Sequence, residues 1–415
     1  MTTIAIVGAG LVGRLLAWQL AKQGQRICLF DKDSKSGQDS AAYTAAGLLT
    51  PFGESLSCSR DIVRAGQAAM PLWKQLVAEL ESPVELYSQG SICVSHAQDW
   101  GDYQRFCQHI SQHFPDANLT HLDSAQLQSL APALSGRFER AAFIESEGVI
   151  DNHQLLTALA IELEKLNVEW REKTNVVAIE HQTVITERRE HFDYVIDCRG
   201  VGASPVFCDS DEAREQDISM LTDLRGVRGE VLHLFAPEVD IEQPVRLMHP
   251  RYNLYLAPKS RKGHYVIGAT EIESSDMSPV TVRSSLELLS AIYSLHSGFA
   301  EAQVIKQLSH CRPAFADNEP KIVVRDKLMQ INGLYRHGYL LAPVVLQSAL
   351  SAIETYWSPA LTSNSHQSDT LLKDNCSLTP NRTIQPNRAF QAKKMCPISK
   401  SFAQQITHSH EGQDV

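Results

Sequence analysis

No apolar run in this 415-residue chain approaches the roughly 20 residues a helix needs to cross a bilayer, so membrane insertion is not expected. Positive charge is not in surplus either. The 38 Lys and Arg stand against 48 Asp and Glu, a formal net charge of −10, which argues against a broad nucleic-acid-binding face. The nine cysteines are scattered without a CxxC pair and without metal-ligand spacing, so no metal site is expected. They read as reduced thiols of a cytoplasmic protein, several of them core residues. The first apolar strand begins at residue 3 or 4, and on that ground no signal peptide is expected.

What the chain does have is length for two domains with sizeable cores, and an ordered motif at its start. Ile4 to Val7 form a short β-branched run of the buried parallel type. Gly8, Gly10 and Gly13 follow at GxGxxG spacing, with Leu11 and Val12 between them, and an apolar helical pattern runs on through Leu20. Ile27 to Phe30 gives a second strand, ending at Asp31 and Lys32. The first glycine permits a tight turn, the second lets backbone N–H groups approach a pyrophosphate, and the third lets helix pack on strand. Asp31 stands where a carboxylate can accept from ribose hydroxyls. The whole sequence of parts argues for dinucleotide binding, without separating FAD from NAD.

Further along, Thr44-Ala-Ala-Gly-Leu48 lies in a stretch of small residues, which suits either a flat ligand against backbone or a tightly packed helix and loop. Helices are expected over Ser59–Leu80, Trp100–Phe114, Asp123–Leu130, Leu155–Leu166 and Ser284–His296. Tyr194 to Cys198 reads as a returning buried strand that meets glycines at Gly200 and Gly202. From Arg225 the pattern turns β-rich, as for an antiparallel sheet. A last helix is expected to about Trp357. Residues 358–415 are rich in Ser, Asn, Gln, Thr and Lys without apolar periodicity, and are expected to be disordered.

Taken together, several separated motifs resemble the D-amino-acid-oxidase superfamily of flavoproteins, and within it the bacterial glycine oxidases of thiamine biosynthesis. They are the N-terminal fingerprint, Ala45-Ala-Gly-Leu-Leu-Thr-Pro51, Arg228-Gly-Glu230, Tyr255-Leu-Ala-Pro258 with Gly268-Ala-Thr270, Arg312-Pro313 and Tyr335-Arg-His-Gly-Tyr-Leu-Leu-Ala-Pro343. The resemblance covers residues 1 to about 357. It implies an α/β fold: a Rossmann-type FAD-binding domain, glutathione-reductase and p-hydroxybenzoate-hydroxylase-like, with an antiparallel-sheet substrate domain. The FAD domain would take 1–82, 145–222 and 308–357, and the substrate domain 83–144 and 223–307.

The resemblance, not the glycine spacing, selects FAD, held non-covalently. It implies cofactor contacts at Gly8, Gly10, Leu11, Val12, Gly13, Asp31 and Lys32. Further contacts follow at Thr44, Ala45, Ala46, Gly47, Leu48, Val176 and Gly200, and at Gly338, Tyr339, Leu340 and Leu341 at the pyrimidine edge. Arg312 matches the arginine that grips the substrate carboxylate. Its planar fork suits that task, although an arginine after such a strand is otherwise a surface or interdomain ion-pair residue. Arg336 and Tyr255 match contacts to the same substrate, and Leu48 and Glu271 stand at pocket positions. Tyr255 also suits a half-buried sheet position with its hydroxyl on backbone.

The implied chemistry is oxidative deamination of a small, glycine-like amino acid, with O2 as electron acceptor and H2O2 as product. No residue is assigned as acid or base. Glu271 would attract a substrate amine, or else face solvent. The rival readings are a sarcosine oxidase, a D-amino-acid dehydrogenase, the flavin domain of a tRNA-modifying enzyme, and a flavin-binding protein without turnover. A homo-oligomer is left open.

Overall fold

The computed structural model describes residues 2–207, 217–218, 220–249 and 254–357. The disordered-tail expectation for 358–415 lies outside the described residues. The N-terminal motif folds as its parts require. The strand Thr3–Val7 pairs in parallel with Arg26–Phe30 on one side and Tyr194–Asp197 on the other, and the helix Leu11–Lys22 connects the first two. Leu328–Asn332 and Glu169–Arg171 extend the parallel sheet, and Lys321–Arg325 closes one edge antiparallel, giving six strands.

Strands buried on both faces need helices as cover. Leu11–Lys22, Asn152–Lys165 and Gly338–Trp357 provide it on one face, with Arg60–Ala78 packed on the last of them. Their apolar sides, among them Leu15, Leu16, Trp18, Trp73, Leu159 and Val345, form the largest core. The C-terminal helix is tied at its end: Trp357 stacks on Tyr194 at 4.4 Å and its indole donates to Asp326 O.

The second sheet has eight strands, in the order Gln303–Ala314, Arg225–Phe235, His264–Gly268, Leu254–Pro258, Val245–Met248, Ser91–Ser95, Ala141–Ile144 and Leu119–Leu122. It is antiparallel apart from one parallel pair, Val245–Met248 against Ser91–Ser95, where two distant chain segments meet. Gln303–Ala314 runs as one strand along the full length of Arg225–Phe235. The boundary expected at 308 therefore falls inside a strand of this sheet. A small three-stranded sheet, Leu48–Leu49, Gly148–Ile150 and Leu86–Tyr87, lies between the two large ones.

Candidate active site

Between the two large sheets runs a cavity of about 650 Å³. At one end it meets the glycine turn. A Cβ on Gly8 (φ +100°) would lie 2.5 Å from Cys198 O, and one on Gly13 would lie 1.9 Å from Gly8 O, so both contacts require glycine. Gly10 has nothing within 4 Å of a built Cβ. It caps the helix without a side-chain bond, leaving the first-turn amides beside Leu11 and Val12 at the cavity wall. That is an open cradle of N–H donors for a pyrophosphate. Asp31 ends its strand there, accepting from Ala9 N and, at 2.8 Å, from Asp33 N. Burial pushes its carboxyl up.

Lys32, Thr44, Ala45, Ala46, Gly47, Leu48, Val176 and Gly200 line the same cavity, as do Gly338, Tyr339 and Leu340 at the start of the last helix. Gly13 and Leu341 do not. Gly13 is spent on packing against Gly8, and Leu341 is fully buried in the helical core. The residues present therefore fit a long dinucleotide: an amide cradle, a carboxylate for a ribose, and a run of small residues along one wall.

Three supporting residues escaped the sequence reading. Arg14, 1% exposed amid the apolar first turns of its helix, donates to Ala9 O at 2.7 Å, Leu156 O at 2.6 Å and Lys35 O at 3.0 Å, which braces the glycine turn. Lys259 Nζ donates to Ala46 O and Asn152 Oδ1, and Asn152 Nδ2 donates to Ala42 O and Tyr43 O. These two pin the small-residue wall from behind, and burial pulls Lys259 down to about 8. The only available signal was a charged residue inside an apolar pattern, and only Arg14 gave it.

At the other end of the cavity the large sheet presents Arg312 and Tyr255. Strand alternation decides which side chains face inward. His310 and Arg312 line the cavity, while the intervening Cys311 is fully buried with its thiol on Ser274 O and Asp276 O. Arg312 lies across Gly229, where a Cβ would come within 2.2 Å of its Cζ. Its Nη1 donates to Thr270 O at 3.1 Å and Arg228 O at 3.5 Å, and among the described residues no carboxylate lies within 4.0 Å of it. The Nε–Nη2 edge of its fork is free of hydrogen bonds among those residues. So is the Tyr255 hydroxyl.

Arg336 is engaged differently. Its Nη1 lies 2.8 Å from Glu271 Oε2, and its Nη2 pairs with Glu54, whose other oxygen pairs with Arg246. Burial works against the charge on Glu54, but Arg336 and Arg246 hold its carboxyl well below the usual range. Tyr335 donates to Glu271 Oε1 at 2.6 Å. Glu271 thus lines the cavity with both oxygens occupied by protein donors. His337 is 2% exposed with Nδ1 unpartnered, and burial pushes it down to about 4. The Arg228-Gly-Glu230 motif is a buried pair at 2.8 Å that also ties down Asp276 O and Pro279 O, bracing the segment that carries Thr270 and Glu271.

The cavity thus joins a dinucleotide cradle to an arginine that has no carboxylate partner among the described residues. The family model for FAD dependent oxidoreductases (DAO) matches residues 3–345, and the chain belongs to that family. It is 35% identical over 342 residues to a Rhizobium etli protein named as the thiamine biosynthesis oxidoreductase ThiO, across 82% of this chain and 93% of that one. It is 25% identical over 362 residues to the glycine oxidase of Geobacillus kaustophilus, across 82% of this chain and 90% of that one. The crystal structure of glycine oxidase from Bacillus cereus shares the fold with a TM-score of 0.71 at 23% identity, covering 86% of this chain and 95% of the other. The cofactor is FAD, and the protein is an FAD-dependent oxidoreductase of the glycine oxidase and ThiO type. Among the described residues no helix is long and apolar enough to cross a membrane.

Proposed function

We propose that this protein oxidises the Cα–N bond of a small amino acid, glycine or a close analogue, to an imine. The carrying observation is Arg312, a cavity-facing guanidinium without a carboxylate partner among the described residues. Its free Nε–Nη2 edge offers two parallel donors to a substrate carboxylate, and the unpartnered Tyr255 hydroxyl offers a third. When bound, FAD would supply the two-electron acceptor for the hydride of Cα, with O2 as the final acceptor and H2O2 as its product.

The chain's own residues position rather than react. Gly8, Gly10, Leu11, Val12 and Asp31 hold the nucleotide half, while Ala45 to Leu48 and the amides at Gly338 to Leu340 flank the other half. Arg312 and Tyr255 fix the carboxylate, and with it the direction in which Cα faces. No acid or base is assigned, because a neutral amine loses hydride without one. The imine is hydrolysed by water to an oxoacid and ammonia. Two observations support keeping this flavin non-covalent: Cys311 faces away from the cavity, and burial raises its thiol. A place in thiamine biosynthesis rests on the ThiO relative's name, and a cytoplasmic setting on the free thiols of the described cysteines.

The purified protein is expected to be yellow, and anaerobic glycine, sarcosine or a small D-amino acid should bleach it. Air should restore the colour with release of peroxide. A yellow protein that no small amino acid bleaches would overturn the reading. Bleaching that air does not reverse, but a dye does, would make it a dehydrogenase.

A further inference from the structure

Two arginines reach the substrate end of the cavity, and two free arginines would hold two carboxylates. Among the described residues only one of them lacks a carboxylate partner. Arg336 is neutralised by Glu271 on Nη1 and Glu54 on Nη2, and Glu54 in turn is shared with Arg246. Two guanidiniums and two carboxylates cancel, so Arg312 supplies the unpaired positive charge. The two arginines are also close. Arg312 donates to the carbonyl of Thr270, and Arg336 pairs with the side chain of the next residue, Glu271.

The two acids differ in reach. Both line the cavity, but the Glu54 side chain is 12% exposed, whereas the Glu271 side chain is 44% exposed. Tyr335 holds the second oxygen of Glu271 at 2.6 Å, which fixes the carboxylate in place. We propose that Glu271 determines specificity: by occupying Arg336 it makes this a site for amino acids with a single carboxylate and rejects those with a second. The proposal rests on the amino-acid reading above and narrows its substrate class. Among the described residues a second substrate carboxylate would find no unpaired cation at this end and would face Glu271 itself, a like-charge contact in a partly desolvated place.

The test uses the flavin-loaded protein and two ethers that cannot be oxidised as amines. Methoxyacetate mimics sarcosine with one carboxylate, and diglycolate mimics iminodiacetate with two. Their dissociation constants are read from perturbation of the flavin's visible spectrum. Wild type should bind methoxyacetate at least about tenfold more tightly than diglycolate. Glu271→Gln should tighten diglycolate by about tenfold or more while changing methoxyacetate less than about threefold. The oxidation rate of iminodiacetate relative to sarcosine should move the same way. Tyr335→Phe, which leaves the carboxylate on Arg336, should keep diglycolate excluded.

Equal binding of both ethers by wild type would overturn the proposal, as would a Glu271→Gln change that shifts both alike. In either case bleaching by glycine would leave the amino-acid reading standing. If neither ether binds and no amino acid bleaches the flavin, that reading falls and the proposal falls with it.

Discussion

Arg312→Ala removes the one cavity arginine, among the described residues, that a carboxylate can reach without displacing another acid. In the wild type its fork keeps Nη1 on the carbonyls of Thr270 and Arg228 and offers its other edge to substrate. Removing one partner of a buried, hydrogen-bonded charge pair costs about 3–5 kcal/mol, which is roughly two to three and a half powers of ten in kcat/KM. The loss should appear with glycine, sarcosine and D-alanine alike, because the carboxylate is common to all three. Lysine should restore only part of it, since a point charge cannot reproduce two parallel hydrogen bonds. Flavin occupancy should survive, because the nucleotide contacts proposed at Gly8 to Val12 and Asp31 belong to the other sheet. Folding should survive too, as Arg312 gives up only two carbonyl bonds, one of them at 3.5 Å. A second route to the same defect is Gly229→Ala, whose Cβ would displace the guanidinium from 2.2 Å away. The assay is steady-state kinetics with flavin content measured on each variant. Unchanged efficiency with flavin bound would make Arg312 a structural residue and refute the assigned site.

Gly13→Ala, with its Cβ 1.9 Å from Gly8 O, should lower the melting temperature, at a cost of about 1–3 kcal/mol or more. Gly10→Ala meets nothing in the protein and should instead lower flavin affinity with little change in the melting temperature of the apoprotein; the reverse pattern would contradict the cradle. Acid precipitation should release all the flavin, and Cys311→Ser should bind it as wild type does; flavin retained in the pellet would contradict a non-covalent flavin. Burial pushes Glu147 up to about 7, against the bonds it accepts from Ser91, Gly53 N and Phe52 N. The folded protein therefore holds this proton more tightly than the unfolded chain, whose pKa is near 4.5. That contribution to stability is complete below about 4.5 and is lost as pH rises through about 7, an effect of roughly 3–4 kcal/mol. Glu147→Gln, which can still accept from the amides and donate to Ser91, should raise the melting temperature relative to wild type at pH 8 and not at pH 5. An equal difference at both pH values would rule the titration out.

The nucleotide end of the site was legible in the sequence because its parts are local. A strand, three glycines, a helix, a second strand and an acid fall within residues 3–31, and each is fixed by backbone sterics that act over a few residues. Helix positions followed from apolar periodicity for the same reason: Ser59–Leu80 was expected and Arg60–Ala78 is found, Trp100–Phe114 was expected and Trp100–His113 is found. Short strands such as Leu119–Leu122, Ala141–Ile144 and Val245–Met248 carry too few residues to show a period, and they exist because distant partners complete their ladders.

The charge state of the substrate end was decided by tertiary structure alone. The sequence placed Arg312, Arg336 and Glu271 in one pocket through resemblance. It gave no means of knowing that Glu54, some 280 residues before Arg336, closes on that arginine and leaves Arg312 unpaired. The long separation is the physical reason. An ion pair depends on distances of a few ångströms, and those are set by how the two sheets pack across the cavity. The same holds for Lys259 and Asn152 behind the small-residue wall, and for the orientation of Cys311, which follows from the pleat of a strand whose register only its neighbour fixes. Local sterics made this chain a dinucleotide binder; the packing of the two sheets left Arg312 free and Arg336 occupied.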